Sequence, residues 1–160
     1  MSQRTKELSA LLIAFAACYG AAAIGAIFSV QGVSEWYATL AKPRWTPPAW
    51  LFGPVWTVLY AMMAISVWTV WRLRDRHRIA AAVAAFAVQL ALNAAWSPLF
   101  FGAHNPGAAL ADILLLLVAL VVTIRLFAEK SVVAAWLLVP YILWVSFASV
   151  LNLAIWRLNS

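Results

Sequence analysis

Aromatic and amide side chains recur at helical spacing in three parts of this sequence. Residues three and four positions apart lie on one face of a helix. Flat indole rings bury a large area and stack against flat aromatic molecules. The spacing therefore predicts the walls of a site for a large, flat, apolar ligand. The three stripes are Trp56, Tyr60 and Met63; Gln89, Asn93, Trp96 and Phe100; and Trp144, Ala148, Leu151 and Ile155.

Groups for acid–base, nucleophilic or metal chemistry are scarce. Asp112 is the only carboxylate well inside a long apolar segment, and it has two interpretations: a contact to a ligand or ion, or a helix-packing hydrogen bond near the membrane surface. His77 and His104 fall in polar turns, and no second His or Cys stands at metal-ligand spacing. No Ser-His-Asp set, phosphate loop or carboxylate pair is present. The sequence predicts a binding protein without a metal site.

The composition and the distribution of charge predict that lipid surrounds the chain. Hydrophobic residues make up 66% of the 160 residues, charged residues 10%, and the mean hydropathy is +0.92. Four stretches contain no charged residue, and each exceeds the roughly 20 residues that a helix needs to cross a bilayer. These stretches are 8–34, 45–71, 79–111 and 131–156. They predict one all-α membrane domain over 1–160, with five transmembrane helices at about 8–28, 50–73, 79–101, 108–127 and 131–156.

The connection after the first predicted helix is long and rich in aromatic residues and proline. A short helix is expected over 35–41, capped by Ser34, with Trp36, Tyr37 and Leu40 on one face. The prolines that follow end this helix and stiffen the rest of the connection. The shared face suits either an interface or a lid, and a long loop of this kind beside a helix bundle indicates a functional role. In the fifth helix, Pro140 predicts a kink.

The positive charges lie at the ends of the predicted helices, which favours membrane topology over nucleic-acid binding as their role. With the N-terminus in the cytoplasm, eight of the 11 Lys and Arg residues fall on the cytoplasmic side. The other three are Lys42, Arg44 and Arg157. The positive-inside rule therefore predicts a multi-pass protein with a cytoplasmic N-terminus, while the identity of the membrane stays open.

Several ordered segments resemble the TspO/MBR family of tryptophan-rich sensory proteins and translocator proteins. Segment 36–50 reads WYATLAKPRWTPPAW, 53–60 reads GPVWTVLY and 89–102 reads QLALNAAWSPLFFG. The fifth predicted helix adds Pro140, Tyr141, Trp144 and Asn152 at matching positions. Ordered matches over most of the chain are more specific than any single motif.

The resemblance implies a five-helix bundle with a ligand pocket open toward the first loop. Family members bind protoporphyrin IX, haem-like tetrapyrroles, and synthetic isoquinoline and benzodiazepine ligands; dimers are common, and no cofactor is obligatory. The ligand-binding residues that it implies by position are Gly25, Ala26, Trp45, Phe52, Gly53, Trp56, Tyr60, Asn93, Trp96, Ala111, Leu115, Trp144, Ala148 and Leu151.

The resemblance leaves three functions open. The leading hypothesis is a membrane receptor or translocator for porphyrins, with a sensory or transport role. The second is an enzyme that degrades porphyrin with light and oxygen, because Trp56 and Trp144 match the tryptophans implicated in that reaction in some members. The third is a structural scaffold. Sterol binding is not favoured, because Leu153 stands where the proposed sterol motif requires Tyr. Ala108 replaces a Trp of mitochondrial relatives, which predicts weaker binding of the synthetic ligands.

Overall fold

The computed structural model describes residues 2–34, 36–75 and 78–160, and the side chains of all of these except 31–34. The predicted cap by the Ser34 side chain, and the predicted places of Glu35, Arg76 and His77, lie outside the described residues. The described helices are α1 Gln3–Ser34, α2 Trp36–Thr39, α3 Ala49–Trp71, α4 Ala80–Ser97, α5 Pro106–Ala128, α6 Val132–Leu137 and α7 Val139–Leu158.

Among the described residues, five helical segments are long and apolar enough to cross a membrane, which confirms the predicted fold class. They cover Gln3–Val30, Ala49–Trp71, Ala80–Gly102, Pro106–Ala128 and Val132–Leu158. The first extends beyond the predicted 8–28 because charge marks where a membrane core ends, not where a helix ends. Lys6 and Glu7 are good helix formers and continue α1 outside the apolar run.

The bundle has two ends, which we call the loop end and the far end. The loop end holds residues 36–48, the start of α3 and the end of α7; the far end holds the start of α1, the end of α3 and the start of α6. α1 packs against α3 and α4, and α5 packs against α4 and α7. The short helix predicted over 35–41 is only the single turn α2, since its last hydrogen bond is Leu40 N to Tyr37 O and Pro43 follows soon after.

The fifth span is broken where Pro140 predicts a kink. α6 ends at Leu137, and α7 begins at Val139 with Pro140 in its first turn, where a missing N–H is tolerated best. Ser131 starts α6 by accepting a hydrogen bond from Ala134 N. The kink is therefore confirmed, and it separates a short helix at the far end from the long α7.

The third span ends in a π-helical turn at the loop end. This turn covers Pro98–Gly102 and follows α4 directly. Gly102 is required here, because a Cβ at this position would lie 2.9 Å from the Phe28 ring of α1. The wider turn places Phe100 inside the bundle, where it is buried. π turns of this kind occur often at functional sites.

Candidate functional site

A continuous row of four aromatic rings joins the first connection to α7 and to the start of α3. The ring centroids of Trp45 and Phe147 are 5.8 Å apart, those of Phe147 and Trp144 are 5.6 Å apart, and those of Trp144 and Phe52 are 5.7 Å apart. The rings come from the connection, from α7 and from the first turn of α3. We call these four residues the aromatic wall. Spacings in this range are typical of interacting aromatic pairs, so each ring orients the next.

A hydrogen-bonded network lies beside the aromatic wall. The Tyr60 hydroxyl donates to Asn93 Oδ1 at 2.5 Å, and Asn93 Nδ2 donates to the Tyr141 hydroxyl at 2.9 Å. Trp56 lies against both tyrosines, with ring centroids 5.4 Å from Tyr60 and 6.1 Å from Tyr141. One amide therefore joins α3, α4 and α7 and fixes the position of Trp56. The inward orientation predicted for Asn93 from its polarity is confirmed.

Trp96 is held by contacts on its face and on its edge. Its ring stacks on Phe100 with centroids 4.9 Å apart and an interplanar angle of 20°. Its Nε1 donates to Asn152 Oδ1 at 3.0 Å, and Asn152 Nδ2 donates to Pro106 O at 2.8 Å. These contacts tie α4, α5 and α7 together at the loop end. Trp96 thus positions the helices around the site, with one face of its own ring already covered.

The first connection packs over the loop end as a lid, which we define as residues 36–48. The Trp36 ring lies edge-on to Phe100 at 5.6 Å and stacks on the exposed His104 ring at 4.6 Å. The Tyr37 ring lies edge-on to Phe101 at 5.8 Å. The face that Trp36 and Tyr37 were predicted to share therefore contacts the bundle.

Polar contacts fix the conformation of the lid. Lys42 Nζ donates to the carbonyl oxygens of Tyr37 at 2.7 Å and Leu40 at 2.9 Å, and it lies 4.7 Å from the Tyr37 ring centroid. Burial raises the pKa of the Tyr37 hydroxyl. Asn159, beyond the end of α7, pairs with both backbone groups of Ala41 at 2.9 Å each. The lid is thus pinned both by its own lysine and by the C-terminal end of the chain.

Three side chains have buried polar atoms without a hydrogen-bond partner among the described residues. They are Trp144 at Nε1, Asp112 at Oδ2, and Gln89 at both amide atoms. A buried donor or acceptor without a partner is costly, and it often marks a place for a ligand or a water molecule. The Trp144 N–H belongs to the aromatic wall, so a bound molecule there would find an unused donor.

The structure brings most of the predicted site residues together around the aromatic wall and places the others elsewhere. Those in or beside the aromatic wall, its network and the Trp96 cluster are Trp45, Phe52, Trp56, Tyr60, Asn93, Trp96, Trp144, Ala148 and Leu151. Gly25 instead faces Ser97 of α4, since an added Cβ would lie 3.4 Å from Ser97 Oγ. Gly53 is exposed, and a Cβ added there would meet no atom within 4 Å.

The predicted residues Ala26, Ala111 and Leu115 lie at exposed positions of α1 and α5. Leu115 is 59% exposed. α5 presents a different face to its neighbours, made of Ala109, Asp112, Ile113, Leu116 and Leu120. These three residues are therefore outside the aromatic wall, and their role in binding stays a prediction.

Several residues of the site were missing from the sequence-based set. Phe147 lies three positions after Trp144 and four before Leu151, so helical spacing alone places it on the same stripe. Tyr141 lies three positions before Trp144 and fits the same spacing, but its bond to Asn93 of another helix leaves no signal in the local pattern. The pairing of Asn159 with Ala41 joins residues 118 positions apart, and no local pattern predicts it.

The chain is similar in sequence to proteins of one family over nearly its whole length. The family model described as the TspO/MBR family matches residues 13–157. The tryptophan-rich protein TspO of Chlorobaculum tepidum is 42% identical over 158 residues, covering 96% of this chain and 98% of that protein. The human translocator protein is 44% identical over 127 residues, covering 78% and 75%. The tryptophan-rich sensory protein of Cereibacter sphaeroides is 37% identical over 151 residues, covering 94% and 92%.

Proposed function

Because the chain belongs to the TspO/MBR family, which gives it a membrane receptor or transporter role, we propose that it binds a porphyrin beneath the lid. The ligand class is a flat tetrapyrrole such as protoporphyrin IX or haem. The protein acts on it as a sensor or carrier and needs no obligatory cofactor.

The observation that carries this proposal is the aromatic wall itself. Phe52, Trp144, Phe147 and Trp45 form a row of contacting rings from the start of α3 across α7 to the lid. A flat conjugated ligand gains both buried apolar area and ring contacts from such a surface. A ligand of small area would leave most of the row uncovered. The size and flatness of the wall thus favour a tetrapyrrole over a small metabolite.

The polar atoms beside the aromatic wall favour one orientation of the ligand. Trp144 Nε1 is buried and has no partner among the described residues, so it supplies a donor for an acceptor of the ligand. Arg44 precedes Trp45 in the lid and is exposed. An exposed cation in the lid suits a ligand whose carboxylates stay in water while its ring is buried.

The test is a titration of the detergent-purified protein with protoporphyrin IX in the dark, followed by tryptophan fluorescence. We expect saturable quenching that is weakened in Trp144→Phe, which removes the free donor and shortens the wall. The matched control is Trp136→Phe, since Trp136 is exposed on α6 and outside the site. Equal, non-saturating quenching in all three proteins would mean that the porphyrin only partitions into the detergent.

A second candidate function is the oxidative degradation of porphyrin in light. It is favoured by the contacts of Trp56 with Tyr60 and Tyr141, because three neighbouring oxidisable rings give an electron a short route away from the ligand. Loss of the porphyrin absorbance under light and oxygen should then be slower in Trp56→Phe, while binding in the dark is retained. An unchanged rate in Trp56→Phe would leave binding alone as the function.

The homodimer, the synthetic ligands and the cytoplasmic position of the N-terminus stay predictions. A reporter fused after Ser160 should be found outside the cytoplasm if the predicted orientation is right, because five spans place the two ends on opposite sides of the membrane.

A further inference from the structure

A cleft of about 450 Å³ lies at the far end of the bundle, away from the aromatic wall and the lid. It opens between the start of α1, the end of α3 and the start of α6. Side chains of both charges and neutral polar groups line it: Gln3, Glu7, Thr69, Arg72, Leu73, Asp75 and Ser131. The proposed porphyrin function does not use any of these residues.

Arg72 is the fixed cation of this cleft. Its Nε lies 3.5 Å from Glu7 Oε2, and its guanidinium carbon lies 4.8 Å from the ring centroid of Trp68. Trp68 in turn donates from Nε1 to the backbone carbonyl of Glu7 at 3.0 Å. Within the described ranges, no hydrogen bond occupies the terminal nitrogens of Arg72. The guanidinium is therefore held in place on one side and remains available to an anion on the other.

Asp75 supplies the accessible negative charge. Its side chain is 72% exposed, and its carboxylate lies 3.8 Å from Arg74 Nη2, beyond hydrogen-bond distance. Arg74 itself is held against Trp71, with its guanidinium carbon 3.6 Å from the ring centroid and Nη1 donating to Trp71 O. Among the residues that the structure describes, Asp75 thus has only this weak ion pair and can accept from a second cation. The cleft presents a positive and a negative group at the same rim.

The cleft stands at the depth where lipid headgroups lie. Trp71 ends α3 at the end of an apolar span, a position typical of the membrane–water interface. The outward sides of the neighbouring helices are apolar next to the cleft, with Leu8 on α1 and Val132 on α6 both exposed. A molecule with a charged head in the cleft could extend its hydrocarbon along these side chains.

We propose that this cleft binds the headgroup of phosphatidylethanolamine. The phosphate accepts hydrogen bonds from the terminal nitrogens of Arg72, and the primary ammonium donates to the Asp75 carboxylate. This one headgroup therefore forms a charge-assisted hydrogen bond with the cation of the cleft and another with its anion. A purely anionic lipid offers Arg72 the same phosphate but has no ammonium for Asp75, so the negative charge of Asp75 stays unpaired beside it and the lipid binds less well.

The experiment measures lipid binding to the full chain in detergent by native mass spectrometry. Phosphatidylethanolamine, phosphatidylcholine and phosphatidylglycerol with identical acyl chains are added in separate titrations. We expect phosphatidylethanolamine to bind about fivefold more tightly than either, which is the size of one favourable exposed ion pair. Phosphatidylcholine carries a positive charge but no N–H, so it separates hydrogen bonding from charge alone.

Two variants locate the binding in the cleft. Arg72→Gln should weaken all three lipids, whereas Asp75→Asn should lower the affinity for phosphatidylethanolamine to that for phosphatidylglycerol. Asp75 is exposed, so its variant tests the proposal even if Arg72→Gln fails to fold. The matched control is Arg125→Gln, an exposed arginine near the end of α5 at the same end of the bundle. It should bind all three lipids as the unsubstituted chain does.

Three results would overturn the proposal. Equal affinities for phosphatidylethanolamine and phosphatidylglycerol would remove the role of the ammonium group. An Asp75→Asn variant that keeps the full preference would place the selective site elsewhere. Displacement of the lipid by inorganic phosphate alone, at the same concentrations in the unsubstituted chain and in Asp75→Asn, would identify a site for soluble anions. Porphyrin binding is independent of all three results.

Discussion

The substitution Asn93→Leu tests the network that joins three helices beside the aromatic wall. Asn93 accepts from Tyr60 and donates to Tyr141, and all three side chains are buried. Leucine has the same branching and the same number of side-chain heavy atoms, so the main change is the loss of two hydrogen bonds. A buried hydrogen bond contributes about 1 kcal/mol, and bonds between helices in a membrane average about 0.6 kcal/mol. The two bonds together predict a loss of roughly 1–2 kcal/mol.

The free energy of unfolding is measured by titration with a denaturing detergent, followed by circular dichroism. The single variant leaves two buried hydroxyl groups without partners. Replacing these as well, in the triple variant with Tyr60→Phe and Tyr141→Phe, should recover most of the loss, because removing all the partners of a buried network is nearly neutral. A loss below about 0.5 kcal/mol in the single variant, or a triple variant that is less stable than the single one, would refute this account of the network.

Three further predictions concern single contacts. Gln89→Leu should leave the free energy of unfolding unchanged or raise it by up to about 1 kcal/mol, because both amide atoms of Gln89 are buried without partners among the described residues. A clear loss of stability would show that the amide has partners such as bound water. Asn159→Ala should speed hydrogen exchange at the Ala41 amide about tenfold, since it removes the bonds that pin the lid to the end of α7; an unchanged rate would mean that Lys42 alone fixes the lid. Gly102→Ala should cost about 1–3 kcal/mol by overpacking, because its Cβ would lie 2.9 Å from a phenylalanine ring of α1. Gly20→Ala is the matched control, as no atom lies within 4 Å of its added Cβ, and it should be neutral or stabilising.

The lid and the far-end cleft have different physical characters. Aromatic ring contacts and hydrogen bonds to backbone groups hold the lid, and these depend little on salt. The contacts of Arg72 and Asp75 in the cleft are exposed ion pairs, which ions screen over a distance of about 10 Å at 0.1 M salt. Lipid binding in the cleft should therefore weaken more steeply with salt than porphyrin binding beneath the lid, where only the exposed Arg44 can pair with a ligand carboxylate.

The amino-acid sequence determined the number of spans, the break at Pro140 and the inward side of α4. Uncharged runs of this length have no stable place outside lipid, and proline removes a backbone donor wherever it stands. Gln89 and Asn93 indicated which side of α4 faces the bundle, because polar side chains that faced lipid would be costly. The aromatic stripes predicted Trp56, Tyr60 and Trp144 for the same site, and the structure brings them together.

The inward side of α5 was decided only by the tertiary structure. The sequence resemblance pointed to Ala111 and Leu115, whereas Ala109, Ile113 and Leu116 pack against the neighbouring helices. Both sides of this helix are apolar, and lipid is as apolar as leucine, so hydrophobicity cannot distinguish a lipid-facing side chain from a helix-facing one. The joining of Asn159 to Ala41, and of Arg72 to Glu7, likewise depends on which helix ends meet in space. That choice is made by the packing of the whole bundle, because residues far apart in the chain carry no local signal of their contact.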